Sequence, residues 1–154
     1  MSTSTKVILA NTPFLVIVES PSKCAKVEKY LGFEYKCIAS KGHIRELVKV
    51  GTAKQNYKPT YDIISEKEAH VLFMKSIVSQ FLPGNVFLGT DDDREGEAIA
   101  WHICEVCNLD PNSTKRILFN EITKPALQKA IKIPITVRMN IVHAQKARQV
   151  LDRM

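Results

Sequence analysis

Two short apolar runs in this 154-residue chain are each followed at once by a polar turn and a helical pattern. The first, FLVIV at residues 14–18, leads into ESPSKCAKVEKYLG, and the second, VFLGT at residues 86–90, leads into DDDREGEAIAWHI. Such continuous β-branched and aromatic runs are typical of strands buried on both faces of a parallel sheet. Because further strand and helix patterns alternate along the chain, we predict an α/β fold with a mostly parallel central sheet flanked by helices.

Local signals set the bounds of the remaining elements. A helix is predicted after the first strand, with Ser20 as its cap, Pro21 at its first position and Gly32 at its end. Residues 48–59 carry lysines and little patterning, which predicts a surface loop. The other elements are predicted as strands at 35–40, 61–65 and 115–122, and as helices at 68–82, 95–107, 123–131 and 137–154.

Composition limits the class of protein. The formal net charge of +6 permits a polyanionic partner without requiring one. Cys104 and Cys107 form a C-x-x-C, but no second pair follows at zinc spacing, so we predict buried free thiols, which suit a reducing compartment. The N-terminal apolar run is too short for a signal peptide, and no stretch reaches the length of a membrane span. We therefore expect an intracellular protein, cytoplasmic or nucleoid-associated.

The acidic turn DDD at residues 91–93 is the strongest chemical signal. Asp91 and Asp93 are two residues apart at the end of a strand and so point to one side, Glu95 follows at the entry to a helix, and Glu19 ends the first strand. If the two strands are neighbours, the four carboxylates meet in the crevice beyond the strand ends. Like charges this close require compensation, and an all-oxygen set of donors selects Mg²⁺.

A purely structural interpretation of the acidic turn stays open. Acidic residues in a first helical turn are favoured by the helix dipole, and aspartate is a good N-cap. For the DDDRE motif alone the two interpretations are about equally supported. The presence of Glu19 at a second strand end favours the metal site.

Five ordered blocks give the chain a family resemblance. They are VIVESPSKCAKVEKYLG, ASKGHIREL, GTDDDREGEAIAWHI, RILFNEITKPAL and HAQKARQVLDR. Together they resemble the N-terminal part of bacterial-type type IA DNA topoisomerases, in which a Rossmann-like Toprim domain precedes the first pieces of a helical DNA-binding domain. The resemblance implies an N-terminal tail at 1–12, a Toprim domain at 13–135 and the start of the helical domain, cut short, at 136–154.

The resemblance also implies roles for individual residues. The family carries its Mg²⁺ chemistry on residues that correspond to Glu19, Asp91, Asp93 and Glu95. Glu19 is then the candidate for proton transfer, and Lys23 for holding the scissile phosphate and stabilising developing charge. Both are expected to be catalytic residues.

Contacts to DNA are implied for His43 and for Arg148, Gln149 and Asp152 near the end of the chain. Two departures from the family pattern bear on these expectations. Gln149 stands where a charged residue is commoner, and we expect the loss of charge to weaken one phosphate contact. Asp92 occupies the middle of the acidic motif, where proline or an apolar residue is usual, and we expect it to face away from the metal.

In this family a tyrosine in a Y-x-R-T-D block attacks the DNA phosphate, and no tyrosine here has that context. The four tyrosines are Tyr30, Tyr35, Tyr57 and Tyr61. The resemblance thus implies part of an ATP-independent isomerase that relaxes negatively supercoiled DNA, with the remaining domains supplying the tyrosine and with this fragment inactive alone. Two alternatives remain: another Toprim enzyme, such as a primase or nuclease, and a non-catalytic metal-binding or nucleic-acid-binding module.

Two further patterns have ordinary structural explanations. Four apolar residues recur at helical spacing and are predicted to lie in the core: Ile99, Trp101, Ile103 and Val106. His102 is predicted to be a surface or helix-packing residue rather than a ligand. The basic stretch at 41–58 is predicted to be solvated, with a weak phosphate-tracking surface as the alternative.

Overall fold

The structure, a computed structural model, describes residues 12–154. The predicted N-terminal tail therefore lies outside the described residues except for Thr12. Among residues 12–154, no helix combines the length and the apolar character that crossing a membrane requires.

Strands and helices alternate along much of the chain, as the sequence predicts, but three strands follow one another at 35–63 and two helices at 124–153. In chain order the elements are β1 (Phe14–Val18), α1 (Cys24–Leu31), β2 (Tyr35–Ala39), β3 (Arg45–Val50), β4 (Pro59–Ile63), α2 (Glu68–Val78), β5 (Val86–Leu88), α3 (Arg94–Val106), β6 (Lys115–Arg116), α4 (Lys124–Lys132) and α5 (Met139–Arg153).

Four parallel strands form the central sheet in the order β2-β1-β5-β6, which confirms the predicted α/β class. In the register of the sheet, Leu15 of β1 lies beside Val86 of β5, and Ile17 beside Leu88. The carboxyl ends of β1 and β5 therefore reach the same edge of the sheet side by side. This arrangement brings the segments that follow the two strands together.

Helices cover both faces of the sheet. Alternate residues of β1 belong to different apolar clusters, because successive side chains of a strand point to opposite faces. Val16 packs with α1 and α4, whereas Leu15 packs with α2, α3 and α5. The helix residues buried on the two faces include Val27 and Leu127 on the first, and Met74, Ile99 and Val142 on the second.

An antiparallel hairpin of β3 and β4 stands apart from the central sheet, and the predicted loop at 48–59 is wrong where it overlaps this hairpin. Within β3 only Leu47 is buried, so the strand lacks the apolar alternation that would reveal it in the sequence. Main-chain pairing with β4 forms it instead. In the connection between the strands, Thr52 shares a capping box with Gln55.

Several predicted elements are shorter than expected. The strand predicted at 115–122 contains only Lys115–Arg116, and the helix predicted at 68–82 ends at Val78. Beyond β6 the apolar residues are used for packing: Ile117 is fully buried and Phe119 packs against the same cluster. An apolar run therefore predicted burial correctly but overestimated strand length.

Candidate functional site

The two strand ends bring Glu19, Lys23 and Asp91 together. The main-chain amide of Asp91 donates a hydrogen bond of 2.8 Å to Oε1 of Glu19. The ammonium of Lys23, in the turn after β1, lies 3.3 Å from Oδ1 of Asp91. Residues that the sequence analysis selected from two separate blocks are thus direct neighbours in the fold.

Glu19 lies in an environment that disfavours its charged form. Burial raises its pKa, and the negative charges of Asp91 and Asp93 raise it further. The hydrogen bond from the Asp91 amide and the charge of Lys23 act in the opposite direction but do not cancel the shift. The ionised form of Glu19 is therefore disfavoured mainly by burial, and the neighbouring carboxylates add to the effect.

Asp93 and Glu95 have structural partners of their own. Oδ1 of Asp93 accepts a hydrogen bond of 2.6 Å from the amide of Gly96, so Asp93 is the N-cap of α3. The carboxylate of Glu95 contacts Nε2 of His43 and the side-chain amide nitrogen of Gln145, each at 2.9 Å. The capping interpretation of the acidic turn thus holds for Asp93, whereas Glu95 joins α3 to α5.

Gly96 allows α3 to begin directly against the acidic turn. A Cβ atom at this position would lie 1.9 Å from the carbonyl oxygen of Asp91. No side chain fits in that space, so a larger residue would displace the turn that carries Asp91.

The donors fit a hard divalent cation in chemical type. Glu19, Asp91, Asp93 and Glu95 offer only oxygen, which Mg²⁺ prefers, and the charges of Asp91 and Asp93 add to burial in raising the pKa of Glu19. In the conformation described, no three His, Cys, Asp or Glu side chains of residues 12–154 converge closely enough to hold a metal ion. The expected meeting of all four carboxylates is therefore not realised in this conformation, although Mg²⁺ keeps several waters and usually takes only one or two protein carboxylates beside substrate phosphate.

Arg116 anchors the main chain of the acidic turn, and the sequence analysis did not identify it. Its fully buried guanidinium donates to the carbonyl oxygens of Leu88 (3.1 Å), Thr90 (2.7 Å) and Asp91 (2.8 Å). It also pairs with the fully buried Glu97 at 3.0 Å. The sequence did offer one signal, because Arg116 directly precedes the apolar run ILF. An arginine next to a buried segment is expected to be buried as well, and a buried charge requires partners.

Glu97 and Arg138 extend this buried network and were also missed. Nη2 of Arg138 lies 2.6 Å from Glu97 and 2.8 Å from Asp92. Burial raises the pKa of Glu97, but hydrogen bonds from Arg138 and Arg116 outweigh it and hold that pKa below its ordinary value. Asp92 therefore has an ion-pair partner of its own.

A cavity of about 440 Å³ adjoins this edge of the sheet. Three of the four residues expected to contact DNA, His43, Gln149 and Asp152, line it together with Glu95 and Arg153. The fourth, Arg148, is exposed and does not line this cavity.

Gln149 is held in place by the β3–β4 hairpin. Its side-chain oxygen accepts a hydrogen bond of 2.8 Å from the hydroxyl of Tyr61. Arg153 reaches the same hairpin through the carbonyl oxygen of Leu47, at 2.7 Å. These contacts join residues 88 and 106 positions apart in the chain, so no local sequence pattern indicates them.

The core predictions around α3 are confirmed. Ile99, Trp101 and Ile103 are buried, and His102 packs among them with Nδ1 accepting a hydrogen bond of 2.9 Å from Nε of Arg45. Burial, followed by the positive charge of Arg45, lowers the pKa of His102 to about 3, so the ring is neutral. Cys104 and Cys107 are free thiols, as predicted, but only Cys104 is buried and Cys107 is partly exposed.

Comparison with known proteins agrees with this geometry. The family model of the Toprim domain matches residues 14–122, from β1 to the segment after β6. The structure is similar to full-length topoisomerase I from Thermotoga maritima, with a TM-score of 0.81 and 39% sequence identity. That match covers 90% of this chain and 24% of the other, so this chain spans about a quarter of the relative's length. The chain belongs to the Toprim domain family.

Proposed function

We propose that the chain is the Toprim part of a type IA DNA topoisomerase, which as a whole enzyme relaxes negatively supercoiled DNA by single-strand passage. The observation that carries the proposal is the contact between Glu19 and Asp91, which are 72 residues apart in the sequence. With Lys23 beside them, they place acid, base and cation chemistry at one edge of the sheet. The 39% identity with a topoisomerase I supports the assignment to this class of enzyme.

Each residue of the proposed site is suited to a different part of the reaction. Glu19, with its raised pKa, is suited to exchange a proton with a sugar hydroxyl. The ammonium of Lys23 is suited to stabilise charge that develops on the phosphate oxygens. Mg²⁺, held by Asp91 and Asp93 with Glu19 and Glu95 in support, would neutralise phosphate oxygens and help to position the phosphate.

Single-stranded DNA is the proposed partner. His43, Gln149 and Asp152 offer polar groups around the cavity next to the acidic turn. Arg148, exposed on α5, is available for a phosphate, and the net charge of +6 favours a polyanion. The nucleophilic tyrosine is proposed to come from other domains of the enzyme, because the tyrosines of this chain lack the family context.

A chimaeric enzyme tests the proposal. The chain replaces the equivalent part of the Thermotoga maritima topoisomerase I, and relaxation of supercoiled plasmid is followed with Mg²⁺. Relaxation is expected from the chimaera and strongly reduced activity from its Asp91→Asn plus Asp93→Asn variant. Asp62→Asn, at an exposed position in β4, is the matched control. A folded chimaera without activity would contradict the proposal.

A further inference from the structure

Arg138 lies where the acidic turn, α3 and α5 meet. Its Nη2 donates to Oδ1 of Asp92 at 2.8 Å and to Oε1 of Glu97 at 2.6 Å. Its main-chain amide donates to the other carboxylate oxygen of Glu97 at 2.8 Å. Its carbonyl oxygen accepts from the amides of Ile141 and Val142, in the first turn of α5. One residue thus bonds three separate parts of the fold.

The hydrogen bond from Arg138 to Asp92 holds the one residue of the acidic turn that neither Arg116 nor the N-cap interaction of Asp93 fixes. Arg116 fixes the carbonyl oxygen of Asp91, and Asp93 bonds to Gly96. Asp92 lies between these two and is attached through its side chain to Arg138. Holding all three consecutive residues fixes the direction of the two carboxylates proposed to take a cation.

Helix α5 holds the acidic segment at a second point. Gln145, buried on α5, donates to Glu95 at 2.9 Å. With the pair of Arg138 and Asp92, the same helix contacts the segment 91–95 from both ends. A displacement of α5 would therefore pull on both contacts.

We propose that Arg138 is a positioning residue, which through Asp92 holds the acidic turn against the start of α5 and so keeps the cation-binding carboxylates in place. The positioning itself rests on contacts within the chain. The expected effect of Arg138 on cation affinity rests on the proposed function.

Hydrogen exchange of the metal-free chain tests the positioning. Asp92→Ala removes the acceptor for Arg138 in the turn but keeps the buried pair of Arg138 and Glu97, so the variant is expected to fold. Its amides at Asp91 and Gly96 should exchange about tenfold faster than in the parent, the effect of losing one charge-assisted hydrogen bond. Amides of β1 should be unchanged. Equal exchange at Asp91 and Gly96 in variant and parent would overturn the proposal.

Cation affinity gives a second test, whose sign separates positioning from simple charge. Arg138→Gln removes a positive charge near the turn, which by electrostatics alone would tighten the binding of Mn²⁺, used as the probe. Loss of positioning predicts weaker binding instead, by several-fold. Arg94→Gln is the matched control, since Arg94 is exposed beside the turn and has no ion pair among residues 12–154; its binding should be unchanged or tighter. Tighter binding by Arg138→Gln would overturn the proposal.

The two readouts separate this inference from the proposed function. If the parent chain binds Mn²⁺ no better than its Asp91→Asn plus Asp93→Asn variant, the proposed cation site is wrong. The exchange rates at Asp91 and Gly96 then decide the positioning role by themselves, because they are measured without metal.

Discussion

The main-chain amide of Asp91 donates a hydrogen bond of 2.8 Å to the carboxylate of Glu19, and this bond joins the ends of β1 and β5. The parallel pairing of the two strands makes the contact possible. The same proximity exposes Glu19 to the negative charges of Asp91 and Asp93, which add to burial in raising its pKa. The contact between Glu19 and Asp91 therefore organises this edge of the sheet and also brings like charges close together there.

Replacing Glu19 by glutamine is expected to raise the free energy of unfolding near neutral pH. Because the pKa of Glu19 is raised in the folded protein, folding stabilises its protonated form. That stabilisation is fully present below the pKa of the unfolded chain and is lost as pH rises through the folded pKa. Glutamine keeps the acceptor for the Asp91 amide and carries no charge. Urea denaturation of parent and variant across this range should show a difference that grows with pH.

The control for this prediction is Glu66→Gln, at an exposed glutamate away from the acidic turn. It should show no such growing difference from the parent. A Glu19→Gln variant that is less stable than the parent at all pH values would mean that the negative charge of Glu19 is well compensated.

The sheet could be predicted from the sequence because its strands are apolar on both faces. Leu15, Val16 and Ile17 are all fully buried, so an uninterrupted apolar run was a sufficient signal. The hairpin could not be predicted in this way, because β3 buries only Leu47 and its stability comes from main-chain pairing and from contacts with α5.

The acidic half of the candidate site was predictable for a related reason. Residues that follow neighbouring parallel strands lie at the same edge of the sheet. The sequence therefore predicted that Glu19 and Asp91 are close, and in the structure they are in contact. The network behind them depends on distant partners: Arg138 lies 46 residues from Asp92 and 41 from Glu97. No local pattern encodes such pairings, so these residues became visible only in three dimensions.

Mg²⁺ is expected to bind the free chain weakly and to depend on Asp91 and Asp93. Mg²⁺ gives up its water reluctantly, and without substrate phosphate few protein ligands complete its shell. The Asp91→Asn plus Asp93→Asn variant should bind Mg²⁺ more weakly still, while asparagine at position 93 can continue to cap α3. Calorimetric titration measures both, with Asp62→Asn as the control. Undiminished binding by the double variant would remove these residues from the role.

Loss of Arg116 is expected to destabilise the fold strongly. Arg116→Met keeps an unbranched apolar stem but removes the guanidinium, which leaves Glu97 with one cationic partner and the carbonyls of Thr90 and Asp91 without donors. Breaking a buried ion pair in this way costs about 3 kcal/mol. Arg148→Ala, at an exposed arginine, should change stability by less than about 0.5 kcal/mol. Urea denaturation compares them, and equal stability of Arg116→Met and parent would show that the network is dispensable.

The chain alone is expected neither to nick nor to relax DNA. Burial raises the pKa of Tyr35 and of Tyr61, which makes their hydroxyls poor nucleophiles. The hydroxyl of Tyr61 also donates a hydrogen bond to Gln149. Incubation with supercoiled plasmid and Mg²⁺ should leave the topoisomer distribution unchanged on a gel. Recovery of a 5′ phosphate linked to any tyrosine of the chain would contradict the expectation.

Binding of single-stranded DNA by the chain is expected to be weak and to fall steeply with salt, and Arg148 should account for part of that dependence. A phosphate contact releases bound counterions, so removing one in Arg148→Ala should reduce the salt slope by about 0.7 on a single strand and weaken binding equally for all sequences. Fluorescence anisotropy with a labelled oligonucleotide at several salt concentrations measures the slope. The matched control is Lys26→Ala, which removes the same charge from an exposed position on α1, on the opposite face of the sheet from α5. If Lys26→Ala lowers the slope as much as Arg148→Ala, the attraction belongs to the overall charge of +6 and α5 makes no specific phosphate contact.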